Sequence, residues 1–397
     1  MAPSKLKWLF VVQFLLSELA LCRTQPLASV ASPASGVLGD DVTPTLDSQM
    51  LPSGPKLKLA PAKTSAKHIV AILGAKLQEK IPALQVDGNV SCGELLSASS
   101  LDDSLSSMFS QELLGLSLVP VLVVAGCPQE AHALVVKLYG QLGVGDTDQL
   151  LLEVQDLIQR RRTSVSEPPP QESVHHLEAV MFNIQQLATA GRAHEKSKCD
   201  AWSQVNGSTL LGEAVRDAPG GLEEAVDACE NLGVRCAGVR SGGLPRSYEA
   251  VLKRGSCILP SQSAKCWILR CSDLSAGRVR RSLQQGCVNQ KEERVYRVME
   301  WIPAVSTLYN LGTAVYYASV NCSEMARERA VLTAVDVGTD VLMVATGGTA
   351  GVAGYALGAG VKTGVKAGVK YLLNSLKHED DVLVNQAGWQ DGIFTLP

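Results

Sequence analysis

The sequence predicts a mainly α-helical chain. It has a helical N-terminal unit, a small disulfide-rich α+β insert, and a helical C-terminal domain with glycine-rich apolar helices. Three observations carry this reading. Apolar residues recur at one-face helical spacing before residue 162; six cysteines crowd between Cys199 and Cys271; and after Pro303 the residues become small and apolar, with glycines four apart.

Lys5 and Lys7 precede an apolar run from Trp8 to Leu21, too short to span a bilayer but of the length of a signal-peptide core. Ala20 and Cys22 are small residues at the positions signal peptidase reads, so residues 1–22 are expected to be a signal peptide cut after Cys22. The chain is then secreted and extracellular. Residues 23–63, rich in Ser, Pro, Ala and Gly as in Ala31-Ser32-Pro33-Ala34-Ser35-Gly36, bury too little surface to offset their ordering entropy and read as a disordered leader.

Ten of the eleven cysteines lie beyond the signal peptide: Cys92, Cys127, Cys199, Cys229, Cys236, Cys257, Cys266, Cys271, Cys287 and Cys322. An even number in an oxidising compartment favours full pairing. No cysteine–histidine grouping has zinc spacing, so neither a metal nor another cofactor is expected. Asn89-Val90-Ser91, Asn206-Gly207-Ser208 and Asn321-Cys322-Ser323 are glycosylation acceptors suited to the same compartment. A net charge of −3 gives no electrostatic footprint for nucleic acid.

Residues 64–162 read as a helical propiece unit. Ile69, Ile72, Leu73 and Leu77 share one face, as do Leu134, Val135, Leu138 and Leu142. Asp146-Thr147-Asp148 supplies a helix start before Leu150, Leu151, Val154, Leu157 and Ile158. A disulfide between Cys92 and Cys127 would contribute about 2–4 kcal/mol by closing their loop. Arg160-Arg161-Arg162 suits a helix C-terminus, where cations meet the macrodipole. Residues 163–172 form a proline-rich linker, and 173–192 an amphipathic helix.

Residues 195–272 form a six-cysteine module, small enough to need disulfides in place of a large core. Its expected helix runs from Ala214 to Asn231. Leu222-Glu223-Glu224-Ala225-Val226-Asp227-Ala228-Cys229, followed by Cys236-Ala237-Gly238-Val239, distantly resembles PAN/apple-type modules. Six cysteines allow fifteen pairings, and sequence does not choose among them. Trp202, Tyr248 and Trp267 read as the module's core, with a ligand site as the alternative.

Residues 273–281 read as a cleaved linker, because Arg278-Val279-Arg280-Arg281 before Ser282 has the R-x-R-R pattern of furin-like convertase sites. The bland alternative is a solvated basic loop. Downstream, Glu292 to Trp301 reads as a polar helix stopped by Pro303. Val341 to Val361 is uncharged and long enough to span a bilayer, but its glycines and threonines drive insertion poorly. Gly354 and Gly358, then Gly360, Gly364 and Gly368, put small residues on one face. Lys362, Lys366 and Lys370 run along a neighbouring face, and Val361, Val365, Val369, Leu372, Leu373 and Leu376 form an apolar stripe between them. Such a helix suits a lipid surface, with lysine stems reaching phosphate; equally, the stripe suits the chain's own core. Residues 378–397 read as an acidic tail.

No catalytic apparatus is visible. His175-His176 reads as a helix surface pair, Asp336 and Asp340 as solvent-facing or capping residues, and no G-x-S-x-G setting occurs. The chain is expected not to be an enzyme.

Leu308-Tyr309-Asn310-Leu311-Gly312-Thr313-Ala314-Val315-Tyr316-Tyr317-Ala318, then Asn321-Cys322, Ala326-Arg327-Glu328-Arg329, and Asp336-Val337-Gly338-Thr339-Asp340-Val341-Leu342-Met343 closely resemble the apolipoprotein F family. The resemblance spans about Cys287 to Leu376, with a fainter one from Cys92 to Leu187 through Ala125-Gly126-Cys127 and Leu138-Tyr139. It implies a proprotein processed to a mature domain at residues 282–377, associated with high- and low-density lipoproteins. The implied partners are lipoprotein surfaces carrying cholesteryl ester, phospholipid and cholesterol, and cholesteryl ester transfer protein. The implied activity is inhibition of cholesteryl ester transfer. The resemblance also implies a Cys287–Cys322 disulfide. The six-cysteine insert departs from the mammalian pattern. A reading of another class is a membrane-active or oligomerising peptide masked by its propiece.

Overall fold

The computed structural model describes residues 59–79, 90–99, 108–160, 176–189, 197–215, 220–273, 287, 290–299, 302, 304–347 and 361–378. The signal peptide, the leader before residue 59, Asn89, the proline-rich linker, residues 278–282 and the acidic tail lie outside them.

Twelve helices and four strands occur among the described residues. The helices are α1 Leu59–Gln78, α2 Cys92–Ser97, α3 Met108–Val124, α4 Pro128–Leu142, α5 Val144–Gln159, α6 Leu177–Thr189, α7 Leu222–Leu232, α8 Gln290–Met299, α9 Val305–Ser319, α10 Ser323–Val337, α11 Thr339–Gly347 and α12 Val361–His378. The strands are β1 Ser197–Leu211, β2 Cys236–Ser241, β3 Tyr248–Leu252 and β4 Cys257–Asp273. The fold is mainly α, with the α+β insert where the cysteines crowd.

Helix boundaries follow local chemistry. α1 begins at Leu59, inside the stretch read as leader, and accommodates Pro61 in its first turn, where no intrahelical N–H is needed. α5 begins at Val144 rather than after Asp146; the Thr147 hydroxyl donates to the Gly143 carbonyl at 2.7 Å. α7 begins at Leu222, not Ala214: Ala214 bridges Val251 as strand-like backbone, and Gly220-Gly221 precede the helix.

From Leu113 onward α3 is apolar on nearly every face, Ser117 excepted, and is therefore buried on all sides. Leu113, Leu116, Leu118, Val119, Val121 and Leu122 are fully inaccessible. α1, α4, α5 and α9 pack around it. Gly312 permits a close approach of α9, since a Cβ there would lie 3.0 Å from Leu114 Cγ and 3.2 Å from Leu113 Cβ.

The sheet is antiparallel in the order β1-β4-β2-β3. α7 packs on β2 and β3 over a small core containing Ala225, Val239 and Leu269, with Trp202, Tyr248 and Trp267 against it. Tyr248 and Trp267 meet edge-on at 5.8 Å, so the module's aromatics serve as packing. The opposite side of the sheet joins the main helical core, through Val205, Leu210, Val251, Ile258 and Ile268.

Two stretches of the chain repeat one another at a spacing of 195 residues (92 to 287, 127 to 322, 143 to 338). In each, a disulfide joins the first cysteine to the residue capping a helix: Cys92–Cys127 caps α4, Cys287–Cys322 caps α10. A left-handed residue precedes each cap, Gly126 at φ 77° and Asn321 at φ 61°. Cys127 N bonds to Leu122 O at 2.8 Å, as Cys322 N does to Tyr317 O. α4 and α10 both close on a positive-φ glycine, Gly143 and Gly338, after which α5 and α11 begin. Thus α2–α5 and α8–α11 are two copies of one unit, and the equivalent helices α3 and α9 pack against each other.

Candidate functional site

α12 lies on the seam between the copies, packed against α5 of one and the equivalent α11 of the other. Its apolar stripe faces inward: Val365 and Leu372 and Leu373 are fully buried, with Val369 and Leu376 nearly so. The side chains of Val361 and Lys362 are outside the described set. Gly368 brings α12 against α11, for a Cβ there would sit 2.6 Å from the Ala345 carbonyl oxygen. Lys366 pairs with Asp146 and Lys377 with Glu153 at 3.9 Å, both on α5, while Lys370 is half-buried. The described residues of the stripe and lysines proposed for lipid thus occupy the chain's own core and flank.

A buried polar centre distinguishes the downstream copy. Arg329 donates from Nη2 to both carboxylate oxygens of Glu292 at 3.2 Å, and Tyr317 donates to Glu292 Oε2 at 2.8 Å. The guanidinium carbon lies 3.5 Å from the Tyr296 ring centroid, and Tyr309 packs beside that ring. Arg329 Nε and Nη1 make no hydrogen bond among the described residues, so the π face supplies much of their compensation. Burial opposes the Arg329 charge, but the Glu292 carboxylate together with Tyr296, Tyr309 and Tyr317 outweighs it and raises the guanidinium's pKa. Burial, reinforced by Glu292, pushes the Tyr309 and Tyr317 phenols well up. At the equivalent positions the upstream copy has Leu134, Leu114 and Leu122 in place of Arg329, Tyr309 and Tyr317.

Sequence reading missed this centre, taking Glu292 to Trp301 simply as a polar helix stopped by Pro303. A signal was available. Arg329 stands among Ala326, Ala330, Thr333 and Val337 on one face of α10, where an arginine needs a buried acid.

Asp336 accepts from the Thr307 hydroxyl at 3.3 Å, and exposed Asp340 lies in the first turn of α11. His176 lies beside Gly207 and Ser208 rather than near any reactive group. Asn206 and Asn321 are exposed. Cys92, Cys127 and Glu130 gather closely, but both sulfurs belong to the disulfide.

In the insert, Cys199–Cys271 staples β1 to β4 at directly opposed positions, and Cys229–Cys236 ties α7 to β2. The expectation of full pairing is corrected for Cys266, a buried thiol that does not pair with Cys257. Register gives the reason. Cys257 is opposite Leu211 and Cys266 opposite Val205, so they lie roughly 20 Å apart along β1 at ~3.3 Å per residue. Disulfide geometry requires Cα atoms within about 7 Å. Burial raises the Cys266 thiol to about 12.

Among the described residues no single helix is long and apolar enough to cross a membrane; α10 and α11 together pass by composition but are bent by 116° at Gly338.

The fold and seam define a helical protein of duplicated units that holds an amphipathic, lysine-edged helix within its own core. Residues 261–376 match the family model described as Apolipoprotein F, so that region of the chain is similar to that family. It is 36% identical to rat apolipoprotein F over 188 residues, 45% of this chain and 60% of the relative. It is 42% identical to the human protein over 113 residues and 43% identical to the mouse protein over 110, each 28% of this chain and 35% of the relative. The chain therefore spans between about a third and three-fifths of the curated relatives it matches. No solved structure matches it.

Proposed function

We propose that this chain is a secreted, non-enzymatic apolipoprotein, made as a proprotein, that adsorbs reversibly to lipoprotein surfaces and restrains cholesteryl ester transfer between particles. The observation that carries this reading is the family match over residues 261–376, which includes the α12 stripe and its lysines. In this reading a furin-like convertase cuts after Arg281, and Ser282 begins the mature domain.

Because the stripe is buried, adsorption requires α12 to leave the seam. Each large apolar side chain exchanged from core to lipid keeps about 1.5–3 kcal/mol of burial, so transfer costs little in apolar contact. The ion pairs to Asp146 and Glu153 exchange for lipid phosphate in the same step. Val361, Lys362, Val365, Lys366, Val369, Lys370, Leu372, Leu373 and Leu376 are the proposed lipid-facing residues.

The test is expression in secretory cells, with and without Arg281→Ala, followed by incubation with plasma lipoproteins and density flotation. A fragment beginning at Ser282 that floats only from the wild type supports processing and lipid binding together. A fragment that forms but stays with soluble protein ends the apolipoprotein reading.

A further inference from the structure

The duplicated units are not divided where the chain is proposed to be cut. In the upstream copy α1 packs across α3, α4 and α5; in the downstream copy α6 packs across the equivalent α9, α10 and α11. α6 is therefore a fifth helix of the downstream unit, and the sheet module is inserted between it and α8. Leu177–Thr189 precedes Arg281, so a cut there leaves the downstream chain without one of its own helices.

The contacts α6 makes are those of an internal element. Ala179, Val180, Ile184 and Leu187 are fully buried in the common core. Asn183 donates to the Ile258 carbonyl at 2.8 Å and to the Met343 carbonyl at 3.4 Å, and Glu178 accepts from Arg327 at 3.1 Å. α3 closes the opposite face of α9. Four ion pairs cross residues 274–286 among the described residues, Glu94–Arg294, Glu178–Arg327, Asp146–Lys366 and Glu153–Lys377, and each sets an upstream acid against a downstream base. None of the four described disulfides crosses.

The geometry points to an interaction surface for the upstream segment itself. Residues 59–273 are the standing partner of residues 287–378, and cleavage between them yields a noncovalent 1:1 assembly with α6 still seated on α9–α11. This rests on the processing reading for its physiological setting, but its test does not use a convertase.

The experiment replaces residues 274–281 of the full chain with the recognition sequence of an added site-specific protease, cuts the purified protein, and compares cut and uncut material by size-exclusion chromatography without reductant. The expected result is one peak at the uncut volume containing both fragments in equal amounts, and α9–α11 amides exchanging with deuterium within about twofold of the uncut rate. Two separate peaks, or exchange in α9–α11 that accelerates about tenfold or more on cutting, would overturn the assembly. Failure of the convertase reading registers elsewhere, as a chain left intact by secretory cells.

Discussion

The carboxamide of Asn183 makes to Ile258 both hydrogen bonds that a neighbouring strand would make: Nδ2 donates to the Ile258 carbonyl and Oδ1 accepts from its N–H, each at 2.8 Å. A helix side chain thereby satisfies the strand β4 where it enters the helical core, and Gly347 makes room, since a Cβ there would lie 2.5 Å from Asn183 Nδ2. Asn183→Leu, similar in size, leaves the buried Ile258 groups unpaired and is expected to cost about 2–4 kcal/mol. Chemical denaturation measures this; a loss under about 0.5 kcal/mol would mean the pair is incidental.

Removing one member of the Glu292–Arg329 pair strands the other in the core. Glu292→Gln or Arg329→Leu alone is expected to destabilise the chain by about 3–5 kcal/mol, while Glu292→Leu with Arg329→Leu loses markedly less than the two singles combined. A double-mutant cycle of unfolding free energies decides the matter, and additive losses would refute the coupling.

At Gly312 the α3–α9 approach leaves no room for a side chain, so Gly312→Leu is expected to cost about 1–3 kcal/mol through overpacking. Gly140, in α4 with open space around its Cβ position, gives the opposite sign: Gly140→Ala is expected to gain about 0.5–1 kcal/mol. Thermal midpoints of the two variants should move in opposite directions.

The Cys266 thiol is buried and its pKa stands at about 12, so iodoacetamide at pH 8 is expected to leave it unmodified in the native chain and to label it once the chain is unfolded without reductant. Peptide mapping reads the label. Finding Cys266 in a disulfide would require a different β4 register.

Tyr309 and Tyr317 hold their protons more tightly when folded than when unfolded. Unfolded phenols titrate near pH 10, so above that pH the unfolded chain loses protons that the native chain keeps. Stability is therefore undiminished by these groups below about pH 10 and falls as pH rises beyond it. Ultraviolet titration should show a slow phenolate fraction appearing together with loss of helix; prompt ionisation of every tyrosine in the native chain would contradict their burial.

Periodicity and cysteine crowding sufficed for the mainly α class and the α+β insert, because helical spacing and small-domain stapling are local signals. The residues Leu308 to Met343 were enough to suggest the family. The glycine face at Gly368 was legible as a close-packing surface, but the spacing carried no information about its partner, Ala345 on α11.

What the sequence by itself determined were local quantities: which segments are helical and which stripe of α12 must avoid water. Tertiary structure decided what those faces meet. The repeat shows in helix boundaries and caps, because the same backbone geometry holds different side chains, as with Leu134 and Arg329 at equivalent positions. Pairing likewise left Cys266 as a thiol out of reach of Cys257, since strand register fixes distances that cysteine spacing does not. Apolar residues record that they are buried but not against what, and so only the packed chain could place α6 in the downstream unit and α12 on the seam.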